Sequence, residues 1–440
     1  MSAVAAQLGR PFASLAVPNY RRYFAGQVVS LSGNWMQTVG ELWLVLSLTG
    51  NPLAVGITTA LQFTPMLLVG ALGGVVADRF DKRRLLIHTQ MAMALPAIAL
   101  WLLVSSGVVQ AWMIFALVFV RGTVNAVDNP ARQAFLVELV SPARLVNAVG
   151  LNSALVQVAR VAGPALAGVT IATVGVADCF LVNAASFAAM IAALRLMRPD
   201  EMHIVEPTPR KPGQLRSALR YVRATPALLI PLVLMGVIGT LSYNFQTLMP
   251  LLARFTFHGD AGTYAALTTA MGIGALVGAL VASTRREIGP QLLVAAAVAF
   301  GGGLLLAAAA PNLTSEAIAL ALTGAASVTF ASSVNSSLQL RVRPNMRGRV
   351  MALYSVVFLG SNPIGGPLMG WISSAAGPRA GLLLGASAAI VGGLVARVAF
   401  ARMEDTHTDE MRAVTIAPAG PRRRGHKPQP ARAMASRRPV

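Results

Sequence analysis

Gly73-Gly74-Val75-Val76-Ala77-Asp78-Arg79-Phe80-Asp81-Lys82-Arg83-Arg84 is the stretch on which the fold turns. An apolar run closes on two glycines and an acid, a basic cluster follows, and a second apolar run begins at once. The flanking runs, 53-77 and 84-106, have the roughly 20 mostly apolar residues that a membrane-spanning helix requires. Working outward, ten more runs of this kind appear. The first half of the chain gives 24-48, 53-77, 84-106, 111-128, 145-172 and 177-197. The second gives 227-252, 262-283, 290-310, 314-339, 347-374 and 379-401.

Composition excludes the soluble classes. Of 440 residues, 55% are hydrophobic and only 12% charged, about half the usual charged share. The 40 Gly and 26 Pro lie within the apolar runs, as they do in transmembrane helices. The single cysteine, Cys179, excludes a disulfide framework and a Cys-based metal site. A net charge of +20 would suit a nucleic-acid binder, but its placement argues otherwise. With twelve spans, Arg254 and Arg379 alone face the side opposite the termini, and Arg121 and Arg160 fall inside spans. The other 32 of the 36 Lys and Arg share the side of the termini. Basic residues accumulate in cytoplasmic loops, so both termini are expected in the cytoplasm. The expected fold is all-α: twelve transmembrane helices in two six-helix halves. The chain then divides into an N-terminal tail (1-20), a first half (21-197), a cytoplasmic middle segment (198-225), a second half (226-401) and a basic, disordered tail (402-440). The first 20 residues hold no apolar core before a cleavage site, so no signal peptide is expected.

The halves echo each other at an offset of about 200 residues, as transporter repeats do. Arg144 precedes Gly163-Pro164 by the interval that separates Arg347 from Gly366-Pro367. Asn34-Trp35-Met36-Gln37-Thr38 is echoed by Asn244-Phe245-Gln246-Thr247. Substrate in such a fold is expected near the midplane, between halves that rock.

The 73-84 stretch resembles the signature loop of the major facilitator superfamily, with Asp81 where the pattern has Gly. The resemblance implies a conformational latch made by Gly74, Asp78, Arg79 and Arg83, with Asp128 at the cytoplasmic end of helix 4 as charge partner. Gly150, Ala159, Gly163, Pro164, Ala167 and Gly168 resemble the superfamily's helix-5 antiporter motif, which implies export by antiport. Two glycines of that motif are Ala here. Asn19 to Ser30, Gly33 to Thr38 and Asp128 to Phe135 resemble the enterobactin-exporter-like branch, also called transmembrane secretion effectors. That branch implies a multi-pass protein of the bacterial inner membrane.

Ionisable residues at membrane depth are functional candidates by default. Glu41, Arg121 and Arg160 are the candidates for proton coupling, with Glu41 pairing with one or other arginine. Asn34, Gln37, Thr38 and Glu41 share one helix face, which is expected to line the central cavity. The second half is expected to hold no charge at depth, only Asn244, Gln246, Asn335 and Gln339 as cavity residues. A nucleotide-binding loop, a zincin motif and a hydrolase elbow are all absent from the sequence, and the five histidines are scattered. Neither an enzyme nor a cofactor is expected. The expected function is export of a small amphipathic compound, drug or siderophore-like, by proton antiport. The alternatives are a proton-coupled uptake symporter and a non-transporting sensor or scaffold. The expected partners are substrate, protons and lipid, with no nucleic acid and a monomeric chain.

Overall fold

The computed structural model describes residues 12-203, 214-284 and 289-416. Arg285, Arg286, residues 204-213 of the middle segment, 1-11 of the first tail and 417-440 of the last lie outside the described residues. No strand occurs among the described residues.

The first helices are α1 (Pro18–Thr49), α2 (Pro52–Arg79), α3 (Lys82–Ser105), α4 (Ala111–Leu139), α5 (Pro142–Thr173) and α6 (Val176–Arg195). After a short helix, Gln214–Arg223, follow α7 (Pro226–Ser242, resuming as Phe245–Leu251 and a π turn, Leu252–Thr256), α8 (Ala261–Thr284), α9 (Pro290–Ala309), α10 (Leu313–Arg341), α11 (Arg347–Ala376) and α12 (Pro378–Ile416). Among the described residues, ten helices are long and apolar enough to cross a membrane. Neither α1 nor α11 is among the ten, although they run for 32 and 30 residues. Their sequences carry the polar residues that the bundle buries, including Gln27, Gln37 and Glu41 on α1 and Ser361 and Ser373 on α11.

Local chemistry sets the turns. Thr49-Gly50-Asn51-Pro52 joins α1 to α2: Gly50 takes a left-handed φ of 59° and its N–H closes on the Leu46 carbonyl at 2.8 Å. Asn51 then caps the N–H of Leu53 at 2.9 Å and Pro52 opens the helix. At the other end of α2, Asp81 caps α3 by accepting from the N–H of Arg84 at 2.7 Å. That is the physical use of the acid where the resembled pattern has Gly.

Three expectations are corrected here. Helix 4 does not stop near 128 but runs to Leu139 through Pro130, so Asp128 and Arg132 lie within it, one turn apart. Helix 7 is not continuous: it breaks at Tyr243-Asn244, where the Asn244 side chain donates to the Thr240 carbonyl at 2.7 Å in place of a backbone N–H. Helix 12 does not end near 401 but extends to Ile416. The chain divides into two compact units, Met1–Arg397 and Val398–Val440, and the second is helical through Ile416.

Within the first unit, helices of the two sequence halves meet along α2 with α11 and α5 with α8. Gly366 and Gly370 on α11 approach α2 so closely that a Cβ on Gly370 would stand 2.7 Å from the Pro52 carbonyl. Gly168 on α5 faces α8, where a Cβ would meet that of Ala265 at 2.6 Å. Leu251 joins Leu42, Leu46 and Val55 in one apolar cluster, Trp43 stacks on Tyr264, and the hydroxyl of Thr247 donates to that of Thr59 at 3.1 Å. Toward the starts of α5 and α11, Gly150 and Gly348 have nothing within 4 Å of a Cβ position. Contacts between the halves also run past mid-helix, where a Cβ on Gly360 of α11 would meet Leu67 of α2 at 2.9 Å and one on Gly272 of α8 would meet Val161 of α5 at 3.0 Å.

Candidate functional site

Three helices, α1, α4 and α6, assemble a polar chain inside the first six helices. Glu41 on α1 is 1% exposed and Arg121 on α4 is 7% exposed. The Nη2 of Arg121 donates to Glu41 Oε2 at 2.5 Å. One turn back on α1, Gln37 donates to Glu41 Oε1 at 2.7 Å, and Asn183 on α6 donates to Gln37 Oε1 at 2.5 Å. Ser186, one turn on, donates to Asn183 Oδ1 at 2.8 Å. Glycine makes this possible. A Cβ on Gly33 would lie 2.5 Å from both Asn183 Oδ1 and Ser186 Oγ. Next to Arg121, a Cβ on Gly122 would lie 2.6 Å from the Gln62 carbonyl of α2. Such close approach is the role of small residues between membrane helices. Arg121 Nε is left without a partner, so the pair is held from the carboxylate's side more than from the guanidinium's.

A second chain lies nearer residues 12-20. Asp128 is ion-paired with Arg132, accepts from Thr89 Oγ1 at 2.6 Å and accepts from Gln90 Nε2 at 2.9 Å. Arg132 also donates to Gln27, which donates to the Tyr23 hydroxyl at 2.7 Å. Beside it Lys82 pairs with Glu138 at 3.1 Å.

The structure places the expected residues unevenly. Glu41 is joined to Arg121 and not to Arg160. Arg160 instead stands over the Trp35 ring, 5.3 Å from its centroid, with Nε unpartnered. Gln37 and Thr38 were expected on the cavity and are buried, Gln37 completely. Glu41 and Gln37 turn toward α4 and α6, where Arg121 and Asn183 supply the partners that lipid does not. Asn34 on the same face stays half-buried. Of the second-half candidates, Asn244 is buried, Gln246 and Asn335 are half-buried, and Gln339 is exposed and donates to Asn335 at 2.5 Å.

The latch residues are likewise spread out. Asp128 is held by Arg132, Thr89 and Gln90. Arg83 donates to the carbonyls of Leu194 at 2.7 Å and Arg195 at 2.9 Å, closing the end of α6. Arg79 is exposed at the end of α2. Gly73, beside Gly74, comes close to α4, where a Cβ would stand 2.8 Å from the Ala126 carbonyl carbon. In the helix-5 motif, Gly163 meets α1, with the Ser32 carbonyl 2.8 Å from a Cβ position, and Gly168 meets α8, but Gly150 faces open space. Pro164 is buried.

Two features escaped the sequence. Glu316, in the first turn of α10, is fully buried, so the second half does hold an ionisable side chain away from solvent. Neither of its carboxyl oxygens has a hydrogen-bond partner, and Arg379, which donates to the Ala310 carbonyl at 2.5 Å, lies within its electrostatic reach. An acid in a first helical turn reads as a complement to the helix dipole, and its burial comes from packing that no local pattern carries. The break in α7 is the other. There Tyr243 centres an aromatic cluster, with Phe300 at 5.0 Å, Phe358 at 5.7 Å, Phe245 at 6.1 Å and Phe330 at 6.5 Å between ring centroids.

Long apolar helices around buried polar chains, with close contacts between the two sequence halves, define a multi-pass membrane protein. The same fold is seen in the crystal structure of a bacterial homolog to the human lysosomal transporter Spinster in an inward-facing and occupied conformation. The two superpose with a TM-score of 0.69 at 14% identity, over 88% of this chain and 97% of that one. The chain belongs to the transmembrane secretion effector family of major facilitator transporters, which it matches over residues 9–425. Among relatives, it is 27% identical over 267 residues to the staphyloferrin A transporter of Staphylococcus aureus (strain NCTC 8325 / PS 47). That alignment covers 59% of this chain but under two thirds, 65%, of the relative. It is 25% identical over 384 residues to the enterobactin exporter EntS of Salmonella choleraesuis (strain SC-B67), covering 86% of this chain and 91% of the exporter.

Proposed function

We propose that the chain is a proton-coupled exporter of a small amphipathic compound, working by alternating access. It crosses the bacterial inner membrane twelve times, as a monomer, with α1 and α11 completing the ten strongly apolar helices and both termini in the cytoplasm. The basic loops on the side of the termini support that orientation. The observation that carries the coupling is the buried pair of Glu41 and Arg121, 2.5 Å apart. A buried carboxylate whose main charge partner is one guanidinium can exchange that partner for a proton when helices shift. Asp128 and its partners, with Asp78 and Arg79 at the end of α2, act as the cytoplasmic latch. The small residues of α5 that meet α1 and α8 provide a surface on which the halves rock. The enterobactin exporter and the helix-5 resemblance favour export over uptake.

The experiment uses energised inverted vesicles, with candidate compounds added singly and the internal pH followed. Compound-evoked proton release in the wild type, lost in Glu41→Gln, is the expected result. Release that persists in Glu41→Gln would move the proton site elsewhere. Compound and proton moving in the same direction would replace antiport with symport.

A further inference from the structure

We propose that Arg160 anchors the negative group of an aromatic substrate, whose ring lies between Trp35 on α1 and the Tyr243 break in α7. The assignment rests on the transport reading above and names the class of compound carried. Among the described residues Arg160 joins no ion pair, whereas Arg121, the other arginine at depth, is matched to Glu41. A guanidinium taken from water without a carboxylate is costly to keep. Here the Trp35 ring, 5.3 Å away, holds it by its face. That attraction consumes no N–H donor, and Nε has no partner. The planar fork that matches a carboxylate is therefore left available for an incoming group.

The facing wall is aromatic. Tyr243 lies within electrostatic reach of Arg160 from the other half of the chain. Its hydroxyl is already donated to the Ser327 carbonyl, so the ring is what it presents. Phe245 and Phe358, both half-buried, flank it at 6.1 and 5.7 Å. A flat ring can stack on such walls while its charge meets Arg160. A cation there would meet an unneutralised guanidinium.

Three probes sharing one ring test this: 1-naphthoate, neutral 1-naphthamide and cationic 1-naphthylmethylammonium, each titrated into the purified full-length protein. Wild type is expected to bind naphthoate most tightly. Arg160→Gln is expected to weaken naphthoate by about ten- to a hundredfold, the loss of a charge-assisted contact, and to weaken naphthamide far less. Retained naphthamide binding also reports that the variant is folded. If Arg160→Gln does not fold, Arg160→Lys reads the same contrast: a drop for naphthoate alone supports the assignment, and equal binding overturns it. It is also overturned if the ammonium binds as well as naphthoate, or if naphthoate shows no saturable binding. Proton release evoked only by cations, without naphthoate binding, would leave antiport standing and remove this assignment. Naphthoate binding lost in Arg160→Gln, but never accompanied by proton movement, would do the reverse.

Discussion

Replacing Glu41 by Gln while leaving Arg121 in place should destabilise the protein far more than replacing both. Gln keeps the volume and can still accept from Gln37, but the charge is gone. Arg121, 7% exposed and with Nε already unpartnered, then holds an uncompensated charge inside the bundle. Breaking a buried pair from one side costs about 3–5 kcal/mol. Arg121→Gln strands a carboxylate that is 1% exposed, with one bond remaining from Gln37, and falls in the same range. In the double variant two amides face each other, and a neutral hydrogen bond of about 1 kcal/mol replaces the ion pair with no charge to desolvate. The double variant should therefore unfold closer to wild type than either single, with a coupling energy of at least about 2 kcal/mol. Denaturant-induced unfolding in mixed micelles, followed by circular dichroism on all four proteins, measures this. Additive single effects, or a single variant as stable as wild type, would refute the reasoning, because either result means that the two charges do not neutralise each other in the folded protein.

Other outcomes follow from neighbouring features. Gly163→Val should overpack the contact of α5 with α1 and cost about 1–3 kcal/mol, whereas Gly150→Ala, with nothing within 4 Å, should be neutral or stabilise by up to about 1 kcal/mol through helix propensity; thermal unfolding of the two variants separates them. Asp81→Ala should lower stability by about 1 kcal/mol through loss of the cap on α3, and Asp81→Gly by only a few tenths, checked by the same measurement. Asp260, in the loop before α8, accepts from the Thr263 N–H at 2.9 Å, and that bond holds its carboxyl below the usual range. Its contribution is therefore present above the ordinary aspartate value of about 3.9 and disappears as pH falls through the lowered one. Asp260→Asn should flatten that acid limb of a stability-against-pH curve and leave neutral pH unaffected.

The helical class was legible because it depends on local quantities. Run length and apolar content mark ten of the helices directly, and Gly50, Asn51 and Pro52 mark a turn by their own backbone preferences. The two helices that fall short, α1 and α11, carry in their sequence the polar residues that make them interior. Glu41, Arg121 and Arg160 could be singled out as charges within apolar runs, since the cost of an ion in hydrocarbon does not depend on the fold. Which arginine receives the carboxylate could not, because that choice is set by side chains about 80 residues apart meeting across α1 and α4. The direction in which Gln37 turns was equally hidden, since it rests on Asn183 of α6. The break in α7 and the burial of Glu316 come from the same source. Each needs a neighbouring helix at close range to supply or withhold a hydrogen-bond partner, and only the packed bundle decides where that neighbour stands.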